Sequence, residues 1–160
     1  MRTVVVFKSK SGFVRKYAEW IAKELSADIY EASKVTVDIL IDYDTIIYGG
    51  GLYAVGINGI KLITQNINKL KGKNLVVFAT GASPQREETT IEVRNKNFTI
   101  DQQKYISFFY LRGGFDFSKL KLFDKFLMIL LKLKLRKKTN LTNDEKGMLA
   151  AYDKPVDFTR

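Results

Sequence analysis

Ser9, Lys10, Ser11 and Gly12 form one tetrapeptide between an apolar run, Thr3–Lys8, and a stretch in which Phe13, Tyr17, Trp20, Ile21 and Leu25 recur at helical spacing. A helix opening at Phe13 turns its unpaired N–H groups and the positive end of its dipole toward the tetrapeptide. Two hydroxyls add donors, Lys10 adds charge, and Gly12 allows a close backbone approach, so the loop can cradle a dianion such as a terminal phosphate. An ordinary helix cap accounts for the same residues equally well. Two more small-residue loops close other apolar runs: Gly49-Gly50-Gly51 and Gly81-Ala82-Ser83-Pro84. The chain has no Cys and no His. That excludes disulfides, thiolate metal sites and thiol nucleophiles, and removes the usual general base and the commonest transition-metal ligand. Electron chemistry here has to come from a bound organic cofactor, and no metal site is expected.

The elements that must hold these loops alternate. Residues 3–8, 27–32, 44–49, 74–80 and 105–111 read as strands, mostly β-branched or aromatic runs too short for a helix. Residues 13–25, 57–70 and 120–135 carry helical periodicity. Pro84 is expected to open a helix running to about Asn97, and Thr142 with Glu145 three residues on forms a capping box for a last one. Strands alternating with helices predict a doubly wound α/β fold with right-handed crossovers, in one domain over residues 1–160. Five strands in a chain of this length suit a parallel sheet of order 2-1-3-4-5 flanked by helices, the order of the flavodoxin-like sheets that this pattern resembles. Ligands of such sheets sit beyond the carboxyl ends of the strands where the strand order reverses. The three loops meet there.

Strand, then Ser-x-Ser-Gly, resembles the phosphate loop of the flavodoxins. Ser9, Ser11 and Gly12 match its pattern, whereas Phe13 stands for the usual Asn and Val14 for the last hydroxyl. Lys10 is expected to replace the lost phosphate contact. The resemblance implies FMN as cofactor, held by Ser9, Lys10, Ser11, Gly12, Phe13 and Val14 at the phosphate. It puts Gly50, Gly51, Leu52 and Tyr53 beside the ring, with Tyr53 stacking, and Thr80, Gly81, Ala82 and Ser83 on the other side. The third loop lacks the aromatic that many flavodoxins place there, which leaves one ring face open to a substrate. Catalysis belongs to the flavin itself. Rival nucleotide motifs fit less well. There is no G-x-x-x-x-G-K-[ST], and Gly49-Gly50-Gly51-Leu52-Tyr53-Ala54 has no ribose-binding acid at the expected distance, since residues 69–75 read KLKGKNL.

The net charge of +10 is concentrated late in the chain. Eight bases between Lys119 and Lys138 face one acid, Asp124, so seven of the ten net charges lie in that segment. Nucleic acid is not expected as a partner. On a helical wheel Lys121, Lys125, Lys132 and Arg136 form one stripe, and apolar residues from Leu120 to Leu135 fill most of the rest. So wide an apolar surface calls for a cover: the chain's own C-terminal segment, a second subunit, a partner or an anionic membrane surface. Tyr110-Leu111-Arg112-Gly113-Gly114 followed by Leu122-Phe123-Asp124-Lys125-Phe126-Leu127-Met128 resembles the flavodoxin-like, quinone-dependent protoporphyrinogen oxidases. That resemblance implies an FMN-dependent oxidoreductase acting on a porphyrinogen, a quinone or a similar aromatic molecule at the membrane surface. The loop between the fourth and fifth strands is shorter than in those enzymes. Lys8, Lys10 and Arg86 near the loops, offset in part by Glu87 and Glu88, favour an anionic reduced flavin and hence two-electron chemistry. The other class is a flavodoxin-type electron carrier that docks on redox partners and has no substrate of its own. With no leader and no run able to span a bilayer, the cytoplasm, with peripheral contact at the inner membrane face, is the expected location.

Overall fold

Three valines and a phenylalanine in succession make the first strand, β1 (Thr3–Lys8), fit for burial on both faces. The computed structural model of the chain, which describes residues 1–119 and 121–159, places it in the middle of a sheet. Alternate side chains go to opposite layers. Val4 and Val6 join Ile46, Tyr48, Leu75 and Val77 on one face, while Val5 and Phe7 join Ile47 and Phe78 on the other. Burying each such aliphatic side chain stabilises the fold by roughly 1.5–3 kcal/mol before chain entropy is counted.

After β1 the chain runs through α1 (Phe13–Leu25), β2 (Asp28–Glu31), a short α2 (Val37–Leu40), β3 (Thr45–Tyr53), β4 (Gly56–Ile57) and α3 (Lys61–Thr64). It continues through β5 (Asn74–Gly81), α4 (Glu87–Asn97), β6 (Ile106–Arg112) and β7 (Gly114–Phe115). It ends with α5 (Leu122–Arg136), α6 (Asn143–Asp153) and β8 (Val156–Asp157). The main strands lie in the order β2-β1-β3-β5-β6, every neighbouring pair parallel. Counted among themselves, these five strands take the expected order 2-1-3-4-5. α1 packs on the Val5–Phe7 face through Val14, Tyr17, Ala18 and Ala22. Ile63, Leu70, Val93 and Phe98 close the other face.

Four segments depart from the expected pattern. The strand expected to stop at Gly49 runs on to Tyr53 and folds back through Ala54 and Val55 onto β4, with Leu52 opposite Ile57 and Tyr53 opposite Gly56. Three glycines lack side chains but can still make ladder hydrogen bonds, and parallel β5 alongside keeps them extended. The helix expected over residues 57–70 shrinks to the single turn of α3. Ile57 is taken into the hairpin, and Gly59 adopts φ +77° against the Tyr48 hydroxyl. Beyond Thr64 the chain makes i→i+3 turns, and the Asn66 side chain donates to the Leu62 carbonyl. Pro84 does not open α4. Arg86 is the N-cap, followed by Glu87 and Glu88, whose charges suit the positive helix end. α5 is described from Leu122; Leu120, where the sequence starts that helix, lies outside the described residues.

α6 has the expected capping box: Glu145 N–H donates to Thr142 Oγ1 at 3.2 Å, and Thr142 N–H to Glu145 Oε2 at 2.8 Å. It packs on one side of α5, where Tyr152 donates to the Met128 carbonyl at 2.6 Å and Lys138 pairs with Glu145 at 2.7 Å. The C-terminal segment thereby covers part of α5. Only Asp124 and Leu135 of that helix are buried, and Leu122, Phe123, Phe126, Ile129, Leu130 and Leu133 stay exposed. On the edge strand β6, Phe109 is exposed as well.

Candidate functional site at the strand ends

The sheet register decides which loops meet. Lys8 pairs with Gly50, Gly51 with Thr80 and Gly81 with Arg112, so β1, β5 and β6 end close to the level of Gly50–Gly51, while β3 runs on to Tyr53. A methyl group placed on Gly51 would lie 3.6 Å from Val14 Cγ2 and 4.0 Å from Thr80 Oγ1. The three expected segments therefore converge at Gly51. One placed on Gly81 would lie 3.1 Å from Leu52 Cδ1, which puts the hairpin against the third loop.

The first loop turns at Gly12, whose φ of +93° belongs to the left-handed region that favours glycine. Its N–H donates to Ser9 Oγ at 3.1 Å, and no side chain caps α1. Nothing lies within 4 Å of a Cβ built on Gly12, so the turn opens to space. An uncapped helix start, flanking hydroxyls and this open turn fit a terminal phosphate. Val14 is buried in the core and can offer such a group only its N–H. Phe13 turns away, its ring packed where Gly114 leaves room. Lys10 reaches across the site. Its ammonium pairs with Asp124 at 2.9 Å and sits 5.1 Å from the centroid of the Tyr53 ring.

Three side chains that the sequence reading did not assign hold these loops. Asn97, at the end of α4, accepts from Ile57 N–H at 2.8 Å and donates to the Val55 carbonyl at 2.7 Å, clamping the hairpin. Tyr48 donates to the Asn58 carbonyl and Tyr110 to the Ser83 carbonyl, both at 2.8 Å. Burial pushes the Tyr48 hydroxyl well above its ordinary pKa and that of Tyr110 up to about 12, so both stay neutral donors. Arg112 adds a bond to the Ala82 carbonyl at 3.3 Å, and Gly113 N–H donates to the Gly81 carbonyl at 2.8 Å. No local sequence signal marks Asn97 or the two tyrosines as loop clamps, since the loop groups they hold lie 10 to 42 residues away.

The residues expected at a ring make an open surface. Tyr53 is 47% exposed, Ser83 is exposed, and Leu52, Gly81 and Ala82 are half-buried. Thr80 is buried beneath them. A cleft of about 360 Å³ opens on the β2 side of the first loop, lined by Phe7, Lys8, Ser9, Glu31, Ser33 and Gly59. Ser9 alone belongs to both it and the three-loop site. No group of acids fit to hold a metal ion occurs among the described residues.

An open parallel sheet with an anion-type loop where the strand order reverses defines a doubly wound α/β protein with its site at the switch point. The family described as Flavodoxin domain matches residues 4–142, and the chain belongs to that family. An uncharacterized protein of Methanocaldococcus jannaschii is 30% identical over 131 residues, which cover 77% of this chain and 83% of that one. Among solved structures, a WrbA-like flavodoxin from Agrobacterium tumefaciens superposes with a TM-score of 0.52 at 21% identity, covering 66% of this chain and 74% of that one. The Trp repressor binding protein of Bacillus subtilis gives 0.52 at 16% identity over 70% and 83%. Flavodoxin 2 of Bacillus cereus gives 0.50 at 16% identity over 70% and 84%. These likenesses bear on the fold.

Proposed function

We propose that the chain is an FMN-dependent oxidoreductase, its flavin held across the three converging loops. The observation that carries this reading is the meeting of the open Gly12 turn, the Leu52–Tyr53 hairpin and the Thr80–Ser83 loop around Gly51. When bound, FMN supplies one- or two-electron redox chemistry. The chain's part is to bind and orient it. Uncapped N–H groups of α1 and the Ser9 and Ser11 hydroxyls take the phosphate. Tyr53 offers an aromatic face to the ring, and the buried tyrosines with Asn97 keep the loops rigid.

An aromatic or quinone-type substrate, a porphyrinogen among them, suits the third loop, whose Ala82 and Ser83 raise no ring of their own over the site. Such molecules partition into bilayers, and the same reading puts the protein at the inner face of a membrane with a redox partner supplying or removing electrons. Lys8, Lys10 and Arg86 near the loops favour an anionic two-electron-reduced flavin over a low-potential shuttle, although Lys10 spends part of its charge on Asp124 and Arg86 on Asp144.

Titration of the purified protein with FMN tests the reading. The expected outcome is quenching of flavin fluorescence with sub-micromolar affinity and weaker binding of riboflavin. Gly12→Asp sets a carboxylate against the phosphate and should lower FMN affinity much more than riboflavin affinity. Gly12→Ala is the control for backbone strain at φ +93°. Equal losses for the two ligands in Gly12→Asp would show that the loop is structural only. A midpoint potential well below that of free FMN would return the chain to the electron-carrier class.

A further inference from the structure

α5 has two apolar faces, and α6 covers only one. Leu127, Met128 and Leu131 are half-buried and Leu135 is buried on the side that meets the rest of the chain. Leu122, Phe126, Ile129 and Leu133 recur at intervals of four, three and four, which lines them along one exposed stripe with Phe123 and Leu130 beside them; at its edge Ile129 and Leu133 border a cleft of about 280 Å³ with Phe117 and Tyr152. The six residues of the stripe are 44–87% exposed with α6 already in place. Along one edge of that stripe run Lys121, Lys125, Lys132 and Arg136, and Lys134 lies on the other. Lys121, Lys125, Lys134 and Arg136 have no ion-pair partner among the described residues; Lys125 lies 6.0 Å from the Phe117 ring, and Lys132 lies 5.2 Å from the Tyr152 ring and 4.0 Å from Asp153.

From this arrangement we infer that the outward stripe of α5 docks on an anionic lipid bilayer, lying in the headgroup region with its cations toward the phosphates. Charge complementarity selects this occupant. A second copy laid against the same face would bring two basic edges together, with Asp124, the acid of this helix, already paired to Lys10 on the buried side. An acidic leaflet answers both features at once, taking the apolar side chains into the acyl boundary and the cations at the headgroups. The helix cannot cross instead. Its 15 residues span about 22 Å, short of the roughly 30 Å hydrocarbon core, and they carry Lys125, Lys132, Lys134 and Arg136. Among the described residues no helix is long and apolar enough to cross a membrane. The Lys10–Asp124 pair ties the first turn of α5 to the first loop, so a docked helix holds the carboxyl ends of the strands next to the lipid.

The inference stands on α5 alone and does not require the flavin. Sedimentation with vesicles of phosphatidylcholine containing anionic phosphatidylglycerol tests it on the full chain. Binding is expected at low salt, declining as salt rises, with little binding to phosphatidylcholine alone. Each Lys or Arg beside an anionic leaflet raises partitioning roughly fivefold, so changing Lys121, Lys125, Lys132 and Arg136 to Gln should lower it by more than about 100-fold. Leu122→Gln with Phe126→Gln and Leu133→Gln should abolish it at all salts. None of the seven side chains belongs to the buried core, and the Lys132–Asp153 pair with the Lys125 and Lys132 ring contacts is partly solvated, so thermal melting should fall by no more than a few degrees and FMN titration should match the parent; those two measurements separate a lost docking face from a lost fold or a lost cofactor. Failure to bind anionic vesicles at low salt overturns the inference. So does a stable dimer in sedimentation velocity that the Leu122, Phe126 and Leu133 changes dissociate, which would make the occupant a second copy.

Discussion

Gly50 and Gly51 are neighbours in β3 with opposite surroundings, and exchanging each for Ala tests how the second loop is built. A Cβ on Gly50 would lie 2.6 Å from Ile57 Cγ2 and 2.7 Å from the Asn58 carbonyl oxygen. The second contact is backbone, held in place by Asn58 N–H donating to the Gly51 carbonyl at 2.9 Å and by Tyr48 donating to the Asn58 carbonyl. Relief requires the returning strand to move by most of an ångström. Overpacking of this kind costs about 1–3 kcal/mol. For a chain of this size that lowers the melting temperature by roughly 2–12 °C. A Cβ on Gly51 would meet Val14 and Thr80 at ordinary van der Waals distance, so Gly51→Ala should shift stability by less than about 0.5 kcal/mol. Thermal unfolding followed by circular dichroism compares the two. Gly50→Ala should also weaken FMN and riboflavin to a similar degree, because the displaced hairpin carries Tyr53 to the ring and leaves the Gly12 turn, with nothing near its Cβ position, as it is. Equal stability of the two variants would refute the claim that the return of β4 over Gly50 sets the loop.

Asn97→Ala strips the buried Ile57 N–H and the Val55 carbonyl of their partners; unfolding in urea should show a loss of about 1–3 kcal/mol, and limited proteolysis should cut first at the hairpin. Ala54 holds φ +54° at the hairpin tip, so Ala54→Gly should stabilise the fold by about 1 kcal/mol, measured by the same urea titration. Asp157 has a carboxyl lowered to about 2 by the Thr159 hydroxyl first, then by the Lys16 ammonium and the Thr159 N–H. A depressed carboxylate stabilises the folded state above its unfolded pKa near 4, and that contribution disappears as pH falls through about 2. Acid titration of the melting temperature should therefore lose less between pH 4 and 2 in Asp157→Asn than in the parent, and an identical slope would show that the β7–β8 pair does not feel this charge.

What could be read directly from the chain is local. TVVVFK can only be a strand with both faces buried, because six residues with a β-branched run neither suit nor fill a helix. Thr142 and Glu145 announce their helix because a capping box needs only residues three apart. The turn at Gly12 follows from a glycine between a strand and a helix, and the parallel sheet follows from alternation and crossover handedness. Tertiary structure decided what depends on distant partners. Residues 57–70 have a helical pattern, but β3 recruits Gly56 and Ile57 into a hairpin, and only the fold brings Asn97 up to hold it. Lys10 reads as a phosphate ligand, yet its ammonium goes to Asp124, 114 residues away. The apolar residues of α5 were countable from the start; which of them stay in solvent was settled by where α6 could pack, since one helix can cover only one side of another.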